Sequence, residues 1–228
     1  MTRILALETS LRGGSVALAL EGRIVAEKSL PQEMRSAQSL APTVKELLAA
    51  QGWRPSQVDA VGVTIGPGSF TGVRIGVTFA KVFCYAAGSG LIGLTTLEVL
   101  AHQAPGVQGE LHVVLDAQRS DLFQQAFQVQ RGVAAPLGAP QVIAASSWIA
   151  GLAGQGDFAV SGPGLAKHRA ALPGGIHVVA EPHWEPSASV LALQTHRAWT
   201  GGRRDDVWKL APLYLRASAA EEKRAAYD

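Results

Sequence analysis

The N-terminal part of the chain opens with three short apolar runs that are separated by turn residues. The runs occupy residues 4–7, 15–20 and 24–30. Glycines stand between them at Gly13, Gly14 and Gly22. Short apolar or β-branched runs with such turn residues between them are typical of hairpins. The pattern therefore predicts three consecutive antiparallel strands.

Apolar positions with helical spacing follow the three strands. Further predicted strands and helices then alternate along the chain. Apolar positions recur every three or four residues between 37 and 48, and Gly52 follows where a helix would end. The next predicted elements are a strand at 59–65, a glycine-rich loop at 66–72, a helix at 73–87, a strand at 91–94 and a helix to about 102 that Thr95 or Thr96 caps. This order predicts an α/β fold with a mixed sheet.

The pattern restarts after Pro105-Gly106, which marks a candidate domain boundary. The predicted elements of this part are strands at 111–115, 122–129 and 158–161, a short helix after Gly162-Pro163-Gly164, and a helix at 188–200 capped by Ser187. The sequence thus predicts two related units. The first comprises 1–104, with 207–228 as a candidate completion, and the second, smaller unit comprises 105–206.

Composition and charge narrow the class of protein. Of the 228 residues, 47% are hydrophobic and 17% are charged, which indicates a folded chain with a sizeable core. The net charge of +2 comes without a basic cluster, so we expect no strong binding of nucleic acid by the chain itself, and any RNA would be bound through a partner. The single cysteine, Cys84, lies in an apolar stretch and predicts a buried thiol in a reducing compartment.

Neither a secretion signal nor a membrane helix is predicted. The apolar run at 4–7 stops at Glu8, and the most apolar span, 73–94, contains Arg74 and Lys81. We therefore expect a cytoplasmic protein.

Two glycine-rich turns are candidates for phosphate binding. One is a loop between a buried strand and a helix, where backbone N–H groups favour an anion. It consists of Gly66, Pro67, Gly68, Ser69, Phe70, Thr71 and Gly72. The other is the first hairpin turn with Glu8, Thr9, Ser10, Gly13 and Gly14. The loop has neither the P-loop ending nor the GxGxxG spacing, and a tight packing turn explains either segment equally well.

The sequence gives little support for a metal site or for a catalytic nucleophile. No two of the six histidines stand three or four residues apart, as a helical metal site requires, so no metal or cofactor is predicted. Glu8 and Asp116 both lie at predicted strand ends and could form a catalytic pair across a cleft. No G-x-S-x-G nucleophile turn is present.

The predicted helix at 73–87 is apolar around most of its circumference. Its apolar arc of roughly 220° is about twice what packing on one sheet requires. We expect the sheet to cover the side near Phe79 and Val82, and a partner protein or another element of the chain to cover the rest. The predicted partner-binding residues are Val73, Arg74, Val77, Lys81 and Cys84.

Four segments in order along the chain resemble the bacterial TsaB (YeaZ) family. They read ILALETS at 4–10, GPGSFTGVRIG at 66–76, DAQR at 116–119 and PLYLR at 212–216. The resemblance implies two tandem actin-like, ribonuclease-H-like ATPase-type domains. The sequence departs from the family's pattern at Glu8, where Asp is usual, and at 35–38, where a His is common and Ser36 stands here.

The resemblance also implies a function in tRNA modification. It implies a non-catalytic subunit in the synthesis of N6-threonylcarbamoyladenosine, the base beside the anticodon in tRNAs that read codons beginning with A. The expected partners are TsaD, a metal-bearing paralogue that transfers the threonylcarbamoyl group, and TsaE, a small ATPase; a homodimer in isolation stays open. An ATP-dependent phosphotransferase of the same fold is the alternative function, and a metallopeptidase would need the helical histidine pair that the sequence lacks.

Overall fold

The computed structural model describes residues 1–31, 36–154 and 156–216. Two mixed β-sheets, each covered by helices, form two units. The first sheet consists of β1 (Arg3–Glu8), β2 (Ser15–Leu20), β3 (Arg23–Ser29), β4 (Ala60–Thr64) and β5 (Gly90–Leu94), in the order β3-β2-β1-β4-β5. The first three strands are antiparallel neighbours, as the sequence predicts, and β4 and β5 run parallel to β1.

The second sheet repeats the opening hairpin and then departs from it. Its strands are β6 (Gly109–Asp116), β7 (Asp121–Gln130), β8 (Val133–Pro136), β9 (Gln141–Ala144), β10 (Phe158–Ser161) and β11 (His177–Val178). The order is β11-β10-β6-β7-β8, and β9 pairs with the first half of β7 while β8 pairs with its second half. The sequence pattern does not predict β8, β9 and β11, which are short strands at the margin of the sheet.

Within the described residues, five α-helices pack on these sheets. They are α1 (Ser36–Ala50), α2 (Phe70–Ala87), α3 (Thr96–His102), α4 (Ala145–Leu152) and α5 (Ala188–Thr200). α1 and α2 cover one face of the first sheet and α5 covers the other. Because both faces are covered, β1 is buried throughout from Ile4 to Glu8, which explains its unbroken apolar run. No helix within the described ranges is long and apolar enough to cross a membrane.

The position of α5 corrects the predicted domain boundary. The helix begins at the predicted residue, with Ser187 accepting hydrogen bonds from Ser189 and Val190, but it packs on the first sheet and not on the second. A Cβ at Gly62 of β4 would lie 1.9 Å from the Thr195 hydroxyl oxygen, so the helix and the strand are in close contact. The chain therefore returns to the first unit before residue 206.

The segment after α5 stays against the first unit for most of its described length. Asp205 forms an antiparallel bridge with Leu91 of the edge strand β5, and Val207 and Leu210 pack against the core beneath α2. Residues 217–228, the remainder of the predicted completion of the first unit, lie outside the described residues.

Candidate functional site

Glu8, the last residue of β1, is fully buried and bonded within its own hairpin. Its Oε1 accepts hydrogen bonds from the Ser10 backbone N–H at 2.7 Å, from the Ser10 hydroxyl, and from the Thr64 hydroxyl at 3.3 Å. Burial raises the pKa of Glu8 to about 7, because the hydrogen bonds from Ser10 and Thr64 offset only part of the desolvation. The carboxyl group of the predicted phosphate turn is thus engaged by neighbouring residues of the chain.

The glycine-rich loop lies directly on this hairpin. Ser69 donates its N–H to the Ser10 carbonyl at 2.6 Å, and the Thr9 hydroxyl donates to the Gly72 carbonyl at 2.9 Å. A Cβ at Gly68 would lie 2.3 Å from the Ser10 oxygen, and one at Gly72 would lie 2.1 Å from the Thr9 oxygen. The two glycines therefore permit a backbone-to-backbone approach that no side chain would allow, as in the tight packing turn weighed from the sequence.

The other glycines of the two segments complete the same packed unit. A Cβ at Gly14 would lie 2.2 Å from the Glu8 carbonyl oxygen, and Gly13 turns the hairpin with φ of 82°. Gly66, with φ of 103°, faces the Leu213 carbonyl, and Pro67 follows it in a cis peptide. The structure thus brings the two predicted phosphate segments together, with each packed against the other.

α2 begins at this loop, where the Ser69 hydroxyl accepts a hydrogen bond from Gly72 N–H at 3.2 Å. Its buried stripe is Val73, Val77, Ala80 and Cys84, a spacing that places the four side chains in one line. Val73, Val77 and Cys84 are only 2–4% exposed, and all three belong to the core of the first unit. The prediction that they form a free partner-binding flank is wrong.

The opposite side of α2 was also misassigned. Val82, predicted to face the sheet, is 62% exposed, and Phe79 is half-buried beside Phe83 with ring centroids 6.2 Å apart. The missed signal is residue size: Gly72 and Gly76 mark the side that approaches the first hairpin, where a Cβ at Gly76 would lie 2.2 Å from the Thr9 hydroxyl oxygen. The bulky side chains lie on the flanks because this side has no room for them.

The outer face of α2, defined here as Arg74, Thr78, Val82 and Tyr85, is exposed. Tyr85 is 73% exposed and meets the equally exposed Trp208 edge-to-face, with ring centroids 5.6 Å apart. Val82, Tyr85 and Trp208 therefore form a contiguous apolar and aromatic patch at the C-terminal half of the helix.

The chain's own segment 205–216 covers a neighbouring flank of α2. Lys81, a predicted partner-binding residue, donates from Nζ to the Trp208 and Leu210 carbonyls at 3.1 Å each. Arg74 donates from Nε to the Tyr214 hydroxyl at 2.8 Å and lies over the Phe70 ring. Part of the surplus apolar arc is thus covered from within the chain, which was one of the two sequence-based alternatives.

Asp116, the other candidate catalytic carboxylate, ends β6 in the second unit and has partners of its own. Lys167 Nζ lies 2.5 Å from Oδ2, and Gln118 N–H donates to Oδ1 at 2.9 Å. Partial burial raises the pKa of Asp116, but the hydrogen bonds from Lys167 and Gln118 outweigh it and lower the pKa overall. Glu8 and Asp116 are therefore engaged by different residues in different units.

The thiol of Cys84 and the candidate metal ligands complete the set of chemically reactive groups. Cys84 is buried and its thiol donates to the Gly90 carbonyl at 3.2 Å; burial raises its pKa to about 12, as expected for a core thiol. Among the described residues, no three His, Cys, Asp or Glu side chains are grouped so as to hold a metal ion. Within the stretch 35–38, where the family often has a His, residue 35 lies outside the described residues and Ser36 begins α1.

Comparison with known proteins identifies the family. The family model described as TsaD, tRNA N6-adenosine threonylcarbamoyltransferase, matches residues 24–226. A Bacillus subtilis protein named tRNA threonylcarbamoyladenosine biosynthesis protein TsaB is 28% identical over 230 residues, which cover 96% of each chain. The crystallised YeaZ of Pseudomonas aeruginosa superposes with a TM-score of 0.81 at 27% identity, over 94% of this chain and 100% of that one. The chain belongs to the TsaB (YeaZ) family.

Other relatives extend this assignment. The Escherichia coli protein of the same TsaB name is 34% identical over 129 residues, 55% of each chain. Because the YeaZ superposition covers both sheets and their helices, the chain has the two-domain actin-like fold of the TsaB family. The match to the TsaD model covers most of this sequence and includes parts of both units.

Proposed function

We propose that the chain is a non-catalytic, activating scaffold subunit in the formation of N6-threonylcarbamoyladenosine. The modified adenosine is the one adjacent to the anticodon in tRNAs that read codons beginning with A. In this proposal a TsaD-like, metal-bearing paralogue transfers the group, a TsaE-like ATPase joins the assembly, and tRNA is met only through the complex. The observation that carries the proposal is the likeness to Bacillus subtilis TsaB over 96% of both chains.

The geometry of the first hairpin supports a role without nucleotide chemistry. In a phosphate-binding turn the backbone N–H groups point at the ligand. Here the Ser10 N–H is bonded to Glu8, and the Ser69 N–H is bonded to the Ser10 carbonyl. Two donors that a phosphate would use are engaged inside the protein.

The partner surface in this proposal is the outer face of α2 together with Trp208. Exposed aromatic and apolar side chains in one patch are typical of protein interfaces, where tyrosine and tryptophan are enriched. Val82, Tyr85 and Trp208 are each more than 60% exposed and lie together, and Arg74 extends the face toward the start of the helix. This face replaces the buried Val73, Val77 and Cys84 as the docking site for the TsaD-like partner.

Co-purification tests the surface. Val82→Glu should leave the chain folded, because the side chain is exposed and Glu favours helix, but should abolish co-purification with the TsaD-like protein of the same genome. Val133→Glu is the matched control: Val133 is 52% exposed on β8 of the second sheet, so this variant should bind as the wild type does. Undiminished binding by Val82→Glu, or equal loss in both variants, would show that the docking site lies elsewhere.

A further inference from the structure

The turn between β6 and β7 has a strained backbone. Gln118, Arg119 and Ser120 have φ of 63°, 51° and 65°, and none of them is a glycine. Consecutive residues with side chains in the left-handed region persist only where the surrounding structure holds them. The residues that contact this turn therefore stabilise its conformation.

Arg216 holds the turn at both ends. Its Nη1 donates to the Ala117 carbonyl at 2.7 Å, just before the left-handed residues, and its Nη2 pairs with the Asp121 carboxylate just after them. The Arg216 and Asp121 side chains are both about three-quarters buried. A planar guanidinium can donate in two directions at once, so one side chain fixes the distance across the turn.

The residues just before Arg216 are fixed to the first unit. Leu213 donates its N–H to the Ile65 carbonyl at 2.7 Å, directly after β4. The Tyr214 ring stacks on Phe70 of α2 with centroids 4.6 Å apart, and its hydroxyl accepts from Arg74. Three residues of one short stretch thus contact β4, α2 and the β6–β7 turn.

The start of the same segment is anchored as well. Asp205 accepts a hydrogen bond from Gly93 N–H of β5 at 2.8 Å, and Lys81 of α2 holds the carbonyls of Trp208 and Leu210. Residues 205–216 therefore run from the edge of the first sheet, along α2, to the second unit.

We propose that residues 205–216 act as a latch that couples the β6–β7 turn of the second unit to α2 of the first. When the hydrogen bonds of Arg216 to the turn break, the contacts of Tyr214 with α2 and of Leu213 with the end of β4 become weaker. Conversely, loss of those contacts weakens the hold of Arg216 on the turn. Because Trp208 belongs to the same latch, the apolar patch on α2 and the turn respond together. The coupling depends only on contacts within the chain, so it stands or falls independently of the proposed function.

Amide hydrogen exchange of the full chain tests the latch. The reporters are the N–H groups of Ala117 and Asp121, which are bonded to the Asp121 and Gln118 carbonyls, and the N–H of Leu213. Arg216→Ala removes a charge-assisted pair and a second hydrogen bond and should speed exchange at all three amides by roughly tenfold or more. Arg216→Lys, which keeps the charge without the fork, should give an intermediate rate.

The decisive variant acts from the other end. Tyr214→Ala removes the contacts with Phe70 and Arg74 of α2, and the latch requires it to speed exchange at Ala117 and Asp121 across the unit boundary. Lys209→Ala is the control within the segment, since that side chain is exposed, and it should leave all three rates unchanged.

Three results would overturn the latch. The first is faster exchange only at Ala117 and Asp121 in Arg216→Ala, which would make Arg216 a local brace of the turn. The second is an unchanged turn in Tyr214→Ala. The third is failure of both Arg216→Ala and Arg216→Lys to fold, because a latch between two folded units is not required for either core to form.

Discussion

Glu8 shows which features of the first hairpin the sequence reveals and which only the structure reveals. The sequence places a carboxylate at the end of the first strand, within a candidate phosphate turn, and the structure confirms that position. What the sequence could not show is that Ser10 and Thr64 engage the carboxylate and that Ser69 caps the turn from another part of the chain. The contacts of Thr64 with Glu8 and of Ser69 with Ser10 join segments that are far apart in the sequence, and no residue spacing along the chain encodes them.

Burial of Glu8 predicts a pH-dependent stability. The folded carboxyl keeps its proton up to about pH 7, whereas the ordinary pKa is 4.5, so the folded state binds more protons between these values. The contribution of Glu8 to the free energy of unfolding therefore falls as the pH rises from about 4.5 to 7, by at most about 3 kcal/mol. Glu8→Gln keeps an acceptor for Ser10 and removes the titration.

Urea unfolding of both proteins at pH 5 and pH 8 measures this effect. Relative to the wild type, Glu8→Gln should be more stable at pH 8 than at pH 5. An equal difference at the two pH values would show that Glu8 does not titrate in this range.

We expect the isolated chain to bind nucleotides weakly, because N–H groups at the first hairpin are already hydrogen-bonded within the protein. Because the Ser10 and Ser69 N–H groups are bonded within the protein, ATP would have to displace those bonds to reach them. Titration calorimetry of the isolated chain with ATP and magnesium should give little or no heat of binding. Micromolar affinity that disappears in Glu8→Ala would instead favour the phosphotransferase.

At the scale of elements, the periodicity located almost every helix and long strand but did not orient α2. The helix that follows the glycine-rich loop ends before Gly88 as the sequence predicts, but it begins at Phe70, inside the predicted loop. The orientation failed because an apolar arc this wide has two plausible inner sides, and the side near Phe79 and Val82 was the one expected to face the sheet. In the structure the small residues Gly72, Gly76 and Ala80 mark the inner side, since the helix lies close to the first hairpin.

The close approach of α2 can be tested by adding one methyl group. Gly76→Ala places a Cβ 2.2 Å from the Thr9 hydroxyl oxygen and should destabilise the chain by roughly 1–3 kcal/mol despite the better helix propensity of alanine. Gly151→Ala in α4 is the matched control, because nothing lies within 4 Å of its Cβ, and it should be neutral or stabilising. Thermal unfolding of both variants gives the comparison, and equal stability would contradict the packing described for α2.

Because Val77 is buried and Val82 is exposed, introducing a charge should destabilise the chain at Val77 and not at Val82, the reverse of what the sequence suggested. Val77→Glu puts a carboxylate into the core of the first unit and should unfold or severely destabilise the chain, whereas Val82→Glu should melt close to the wild type. Thermal melting of the two variants, followed by circular dichroism, shows which of the two positions is buried. A stable Val77→Glu chain would restore the orientation that the sequence suggested.

At the scale of the whole molecule, the two-unit layout was predictable and the path of the C-terminal third was not. The restart after Pro105-Gly106 and the second hairpin indicated a repeat, and the family resemblance supplied the actin-like fold. Capping by Ser187 fixes where α5 begins but not which sheet it covers, because that depends on Gly62 and Gly90 making room for Thr195 and Trp199. The segment 205–216, which has no regular structure to predict, then joins both units.

Reconstitution of the modification from purified components gives the sharpest test of the proposed function. Purified TsaD-like and TsaE-like proteins of the same genome, threonylcarbamoyl-adenylate, ATP and tRNA are combined with and without this chain, and N6-threonylcarbamoyladenosine is quantified over time. A non-catalytic activating subunit predicts that the chain alone forms none, that the mixture without it is inactive or nearly so, and that adding it restores the rate whereas Val82→Glu does not. Full-rate modification without the chain would contradict the account.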